Sequence, residues 1–332
     1  MIELNTPGKI KTSVPENETE DDVAKYDFNE ESQLKNGIKF YNENGYVVFK
    51  DVFSKDVCQS LRKLWEDEIK PFKGKIYRQT TAKAEKNEFN KNNWIMNPIV
   101  NLQSLNPSFF SGLRNYSEEK IFSSNNLCKI LNSFFDERPK FVQSMYFEGN
   151  SATWEHQDTY YLDSVVIGSM IAGWIALEDI KADAGRFFVC PLSNKEKLIK
   201  QTKENNYGTN HKRYIEQIIS LIEEKQLKIK APYLKTGDLL LWNSKTIHGS
   251  LDSRSDIHSR SSITFHAIPE SHKFLQFQSI IKNIKTSDLG KSLIYRHKDQ
   301  SKVLNRLIFN FESKFPKIFY FIKNNLIKLI TK

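Results

Sequence analysis

The chain has 332 residues, of which 39% are hydrophobic and 12% aromatic, with 3 cysteines and a formal net charge of +9. That much apolar chain can bury a large core, which excludes wholesale disorder. The scattered Cys58, Cys128 and Cys190 exclude a disulfide scaffold or a Cys-rich zinc module and fit a reducing cytoplasm. The charge is lopsided: residues 1–35 hold 4 Lys/Arg against 9 Asp/Glu, and residues 271–332 hold 13 against 3. The basic excess therefore belongs to the C-terminal fifth, and no nucleic-acid module accompanies it.

Residues 1–30 carry few large apolar side chains and read as a flexible acidic leader, with no secretory signal expected. A helix then ends at Gly37–Asn42, closed by Asn44-Gly45, and Tyr46–Phe49 is β-branched and aromatic, hence a strand. Ser54 and Asp56 open a second helix with Leu61, Leu64, Trp65 and Ile69 at helical spacing, ended by Pro71. Residues 75–97 read as irregular, exposed chain, followed by a helical stretch over 117–135. Strands are expected at 141–148, 164–177, 186–189, 239–242 and 262–268, with a helical, lid-like insertion at 194–228. This succession predicts an α+β fold on an antiparallel sandwich or jelly roll, over a domain of residues 31–270.

The segment Trp154-Glu155-His156-Gln157-Asp158 carries the chemistry. In a strand, His156 and Asp158 at i and i+2 share one face, where an imidazole and a carboxylate can grip one metal ion. His248 follows the apolar strand ending at Trp242. Two histidines and one carboxylate form the facial triad of non-haem Fe(II) oxygenases, with coordination positions left open. An isolated HxD is a weak signal, and His248 reads equally as a turn histidine bonded to a backbone carbonyl. Arg260, 12 residues after His248, adds weight.

From about Gln33 to Pro269 the chain resembles the phytanoyl-CoA hydroxylase-like family of Fe(II)/2-oxoglutarate-dependent dioxygenases. Phe40–Val48 resembles the family's opening helix-to-strand segment, His156-Gln157-Asp158-Thr159-Tyr160-Tyr161 its metal motif, and Trp174–Ile180 its central strand. Gly185–Ser193 resembles a later segment, with Leu192 and Asn194 where the family has Gly and His. His248-Gly249-Ser250 through Arg260 resembles the distal histidine and co-substrate arginine, with one extra residue between 251 and 258.

The resemblance implies a double-stranded β-helix (cupin-like) core with flanking N- and C-terminal helices. It implies Fe(II) at His156, Asp158 and His248, with 2-oxoglutarate and O₂ as co-substrates. Arg260 and Ser250 would hold the distal carboxylate of 2-oxoglutarate, and Trp174, Gln143 and Tyr146 are candidates for further contacts. Trp174 reads equally as core packing, and Tyr146 more readily as a half-buried strand position. The implied reaction is hydroxylation of a small polar molecule by a monomer or homodimer, and an aspartate at 158 favours it over halogenation. The alternative is a catalytically silent, ligand-binding relative. Tyr77, Arg78, Trp94, Asn97, Tyr160 and Tyr161 would border the substrate. His266 reads as a satisfied core or rim histidine; His211, His258, His272 and His297 read as solvated.

Residues 271–332 read as a basic helical extension. After Pro316, Ile318, Phe319, Ile322, Leu326, Leu329 and Ile330 cover one helical face, with Lys317 and Lys328 opposite. Such a helix docks on its own domain or a partner, or makes a peripheral membrane contact.

Overall fold

A computed structural model describes residues 1–149, 152–253 and 257–330, the last seven as backbone alone. Its largest sheet runs, in spatial order, through Thr286–Asp288, Leu293–Tyr295, Pro139–Phe147, Ser262–Pro269, Ile171–Ala176, Leu239–Asn243, Tyr46–Phe49 and Lys25–Tyr26. The five central strands pair antiparallel. A smaller sheet pairs Phe187–Val189 with His248–Ser250, and His156 bridges to His248 at its other edge.

Side-chain alternation gives the large sheet two different faces. Val47, Phe49, Ile171, Ile175, Leu241 and Phe265 bury against helices α1 (Glu31–Asn44), α2 (Lys55–Leu64), α3 (Pro107–Ser117) and α4 (Asn125–Phe135). The opposite face carries Ala172, Trp174, Leu240 and Trp242 and, on Ser262–Pro269, the polar Thr264 and His266. A bulge between His266 and Ala267 keeps Gln143 opposite His266 while Phe141 turns into the helical core.

Local chemistry sets the boundaries as expected at several points. Ser54 caps α2 through Val57 N, and Gly45 ends α1 at φ +81°. A Cβ at Gly45 would lie 2.5 Å from Thr246 Oγ1, and Thr246 donates back to the Gly45 carbonyl. The end of α1 is thereby tied to the segment that delivers His248.

Other expectations need correction. The acidic leader is not a solvated tail: Ile2–Asn5 and Lys11–Val14 form a hairpin. Its inward side chains Leu4 and Val14 are buried against Ile218 and Ile222 of α5 (His211–Glu224). Two apolar residues on one face of a hairpin suffice when a helix supplies the rest of the core.

Residues 75–97 are surface chain only in part: Thr80–Lys83 and Lys91–Asn93 are exposed, but Ile76–Tyr77 pairs with Ala84–Glu85 and Arg78, Ile95 and Asn97 are buried. The strand expected over 164–177 is interrupted: Asp163 accepts from Ser164 N, Gly168 N and Met170 N, folding Val165–Gly168 into a turn. Within 117–135 the chain breaks at Ser123, and Ser124 caps α4. In the 194–228 insertion only α5 is a full α-helix. The segment after 271 is not helical until α6 (Val303–Lys314) and α7 (Pro316–Ile330). Before them, Leu293–Tyr295 adds to the large sheet in parallel with Pro139–Phe147 and buries Ile294.

Candidate metal and co-substrate centre

His156, Asp158 and His248 each offer one ligand atom, and these atoms lie within 4.8 Å of one another. The backbone is less regular than a strand pair: after the His156–His248 bridge the chain turns into a short 3-10 helix, Asp158–Tyr160. Gln157, extended at φ −109°, still sets the two side chains next to each other.

The imidazoles are fixed from behind. His156 Nδ1 donates to the Trp154 carbonyl (2.7 Å) and His248 Nδ1 to the Thr246 carbonyl (2.9 Å). Both Nε2 atoms are therefore lone-pair donors facing Asp158 Oδ1, at 3.5 and 3.4 Å. The other carboxylate oxygen of Asp158 accepts from Trp242 Nε1 (2.8 Å). Burial works against the Asp158 carboxylate, but the neighbouring imidazoles of His248, His266 and His156 prevail and hold its pKa well below the usual range. Burial, then His248, lowers the pKa of His156. A carboxylate at Asp158 beside an imidazole that burial keeps neutral at His156 suits a divalent metal.

A cavity of about 1000 Å³ opens in front of this cluster. Its walls include Arg260, Ser250, Trp174 and Gln143, so these candidates converge with the three ligands. Arg260 is 2% exposed, donates to the Gly185 carbonyl (3.0 Å) and lies over the Phe147 ring. It has no ion-pair partner among the described residues, its Nε has no hydrogen bond, and burial pulls its pKa down to about 9. Ser250 Oγ accepts from Thr153 N (2.6 Å). Trp174 packs with Ala172, Leu240 and Trp242, as its core reading expects, and also lines the cavity. Of the 251–258 loop, residues 254–256 lie outside the described residues.

Tyr146 is a correction. Strand alternation turns it away from the cavity, and its ring stacks on Trp65 (4.0 Å between centroids) in the helical core. His266 is corrected too: it is buried on the cavity wall, 3.4 Å from Asp158 Oδ2, and neither ring nitrogen has a hydrogen-bond partner among the described residues. Thr264, two residues before it, also lines the cavity with an unpartnered hydroxyl and was not anticipated. The alternation Ser262-Ile263-Thr264-Phe265-His266 held that information.

Of the expected substrate residues, Tyr77, Arg78 and Tyr161 line the cavity, and Tyr161 shares a short hydrogen bond with His211. His211 therefore belongs to the wall and not to solvent. Asn97 is structural, bonding Lys86 O and Glu88 N, and Tyr160 stacks on Tyr214. Trp94 lies off the cavity wall. The turn at Leu192 keeps a left-handed backbone (φ +68°) although the side chain is leucine.

A family profile described as Phytanoyl-CoA dioxygenase (PhyH) matches residues 41–262. Phytanoyl-CoA dioxygenase domain-containing protein 1 of Danio rerio is 28% identical over 147 residues, 42% of this chain and 48% of that protein. The match thus spans about half of that relative's length. Among solved structures, the epimerase SnoN in complex with Fe3+, alpha ketoglutarate and nogalamycin RO superposes with a TM-score of 0.54. It has 13% identity over 82% of this chain and 98% of that one. The non-heme alpha ketoglutarate dependent carbocyclase SnoK from nogalamycin biosynthesis gives 0.51, with 16% identity over 72% and 85%. At these identities the likeness is one of fold.

Proposed function

The chain belongs to the phytanoyl-CoA dioxygenase family, and from that premise we propose that it is an Fe(II)- and 2-oxoglutarate-dependent dioxygenase that hydroxylates a C–H bond of a small molecule. The two facing sheets are read as the double-stranded β-helix of that family. The observation that carries the proposal is the pairing of a His156–Asp158–His248 cluster with a buried Arg260 that lacks a carboxylate partner among the described residues, both on one cavity wall.

The donor set fits a divalent iron: two imidazole nitrogens and one carboxylate oxygen, each oriented by a second hydrogen bond. When bound, iron would supply the activation of O₂ coupled to conversion of 2-oxoglutarate to succinate and CO₂. The protein's own residues do the rest. The guanidinium of Arg260 presents a planar fork to the distal carboxylate of 2-oxoglutarate, and Ser250 offers a hydroxyl to the same cavity. Trp242 fixes the rotation of Asp158, leaving Oδ1 toward the histidines. Trp174 and Phe187 keep that end of the cavity apolar, which strengthens the ionic contact at Arg260.

SnoK and SnoN, described as a carbocyclase and an epimerase, mark this fold as one that also hosts outcomes other than hydroxylation. The carboxylate at Asp158 supports hydroxylation over halogenation, because it fills the coordination position a halide would need. The test is 2-oxoglutarate-to-succinate conversion in the presence of Fe(II), O₂ and a substrate panel. Substrate-stimulated succinate release by the wild-type chain that disappears in Asp158→Ala is the expected result. Full activity of Asp158→Ala would remove the proposed metal centre.

A further inference from the structure

Helix α6 is amphipathic with its faces inverted. Its polar side turns toward the protein: Glu312, 2% exposed, accepts from the Ala84 amide and from the hydroxyls of Tyr77 and Tyr320. Arg306, Phe309 and Ser313 add to the cavity wall. The opposite side carries Leu304, Leu307, Ile308, Phe311 and Phe315, spaced i, i+3, i+4, i+7 and i+11, and all are exposed, Leu304 at 67% and Leu307 at 60%. Helix α7 continues the apolar surface with Ile318, Phe321 and Ile322, Phe321 at 70%. A water-facing helix ordinarily shows the reverse pattern, and an apolar surface of this extent marks an interaction site.

The charge around it has one sign. Lys302, Lys314, Lys317 and Lys323 are exposed along the two helices, and Lys298 lies over the Tyr77 ring at 3.9 Å. The acids of the same region are spoken for. Asp299 and Glu312 are buried, Asp299 against Arg114, and Asp288 pairs with Arg138. Two copies of this surface would therefore bring lysines against lysines. No helix among the described residues is long and apolar enough to cross a membrane. A continuous apolar stripe flanked by lysines suits instead a helix lying in the plane of an anionic bilayer, with its apolar side chains below the headgroups.

We propose that the outer face of α6 and the first turns of α7 form an in-plane anchor on anionic lipid bilayers. This assignment is independent of the dioxygenase reading, since none of the anchor side chains touches the metal cluster. The inner face of the same helix lines the cavity, so docking sets the cavity's C-terminal rim at the lipid interface.

The experiment is co-sedimentation of the full chain with vesicles of phosphatidylcholine alone and of equimolar phosphatidylcholine and phosphatidylglycerol, across a salt series. The chain should bind the mixed vesicles, and binding should weaken as salt screens the lysines. A Leu307→Glu/Phe311→Glu variant should partition about tenfold more weakly or worse, because two anchors lose their apolar burial. Lys317→Glu/Lys323→Glu should lose the preference for anionic vesicles, and circular dichroism confirms that each variant is folded. If the glutamate pair disturbs the fold, the lysine pair and the salt series decide. Absence of wild-type binding to mixed vesicles overturns the proposal. So does a dimer in sedimentation equilibrium that Leu307→Glu/Phe311→Glu dissolves while vesicle binding is unaffected, since a second copy would then cover this face.

Discussion

Buried without a carboxylate partner among the described residues, Arg260 is the residue whose surroundings are least complete without a ligand. A bidentate contact to 2-oxoglutarate there is worth about 1.5–3 kcal/mol, so Arg260→Ala should raise the KM for 2-oxoglutarate about 10–100-fold. Steady-state succinate assays over a 2-oxoglutarate series would read this, and an unchanged KM would remove Arg260 from the co-substrate site. Tyr146→Phe is the contrasting control: its ring sits on Trp65 in the helical core, and the KM should stay within twofold (~0.4 kcal/mol). The cluster of His156, Asp158 and His248 was legible mainly through the family resemblance, because an isolated HxD and a turn histidine are weak signals by type and spacing alone. Tyr146 was misassigned although alternation alone separates it from Gln143: three positions apart on an unbroken stretch of strand, the two side chains point to opposite faces. His266 was legible but outweighed by the ordinary reading of a strand histidine, and Thr264, on the same face two residues before it, went unread.

Among elements, the strands that form the site's floor announced themselves by alternation, and the helices α1 and α2 by their caps and apolar spacing. The leader's hairpin did not, since its two buried anchors, Leu4 and Val14, are diluted by acidic neighbours and gain a surface to cover only from α5 and its surroundings. Leu4→Ala should accordingly cost about 2–4 kcal/mol, read as a lower urea midpoint at unchanged slope. An unchanged midpoint would mean that the hairpin contributes nothing to stability. The turn at Leu192 offers the opposite sign. A half-exposed leucine at φ +68° carries backbone strain that glycine relieves, so Leu192→Gly should stabilise by about 0.5–1 kcal/mol and raise Tm by about 1 °C. The residues after 271 were read as one helical extension, although helical spacing was evident only after Pro316, whereas Leu293–Tyr295 is recruited by the open edge of a distant strand, a tertiary effect without local signature.

Taken as one molecule, the protein divides its large sheet between two tasks. One face holds the helical core that supplies stability, and the other faces a cavity where polar groups can remain without partners because a ligand would complete them. The net charge of +9 is likewise local: it gathers beside an exposed apolar surface on α6 and α7, at the rim of the same cavity. The central claim is that His156, Asp158 and His248 hold Fe(II) with 2-oxoglutarate anchored on Arg260. The most direct measurement is anaerobic addition of Fe(II) and 2-oxoglutarate to the purified chain, followed by visible absorption. A charge-transfer band that requires both additions and is absent in Asp158→Ala is the predicted result. No band in the folded wild-type chain at saturating Fe(II) and 2-oxoglutarate, or an equal band in Asp158→Ala, would contradict it.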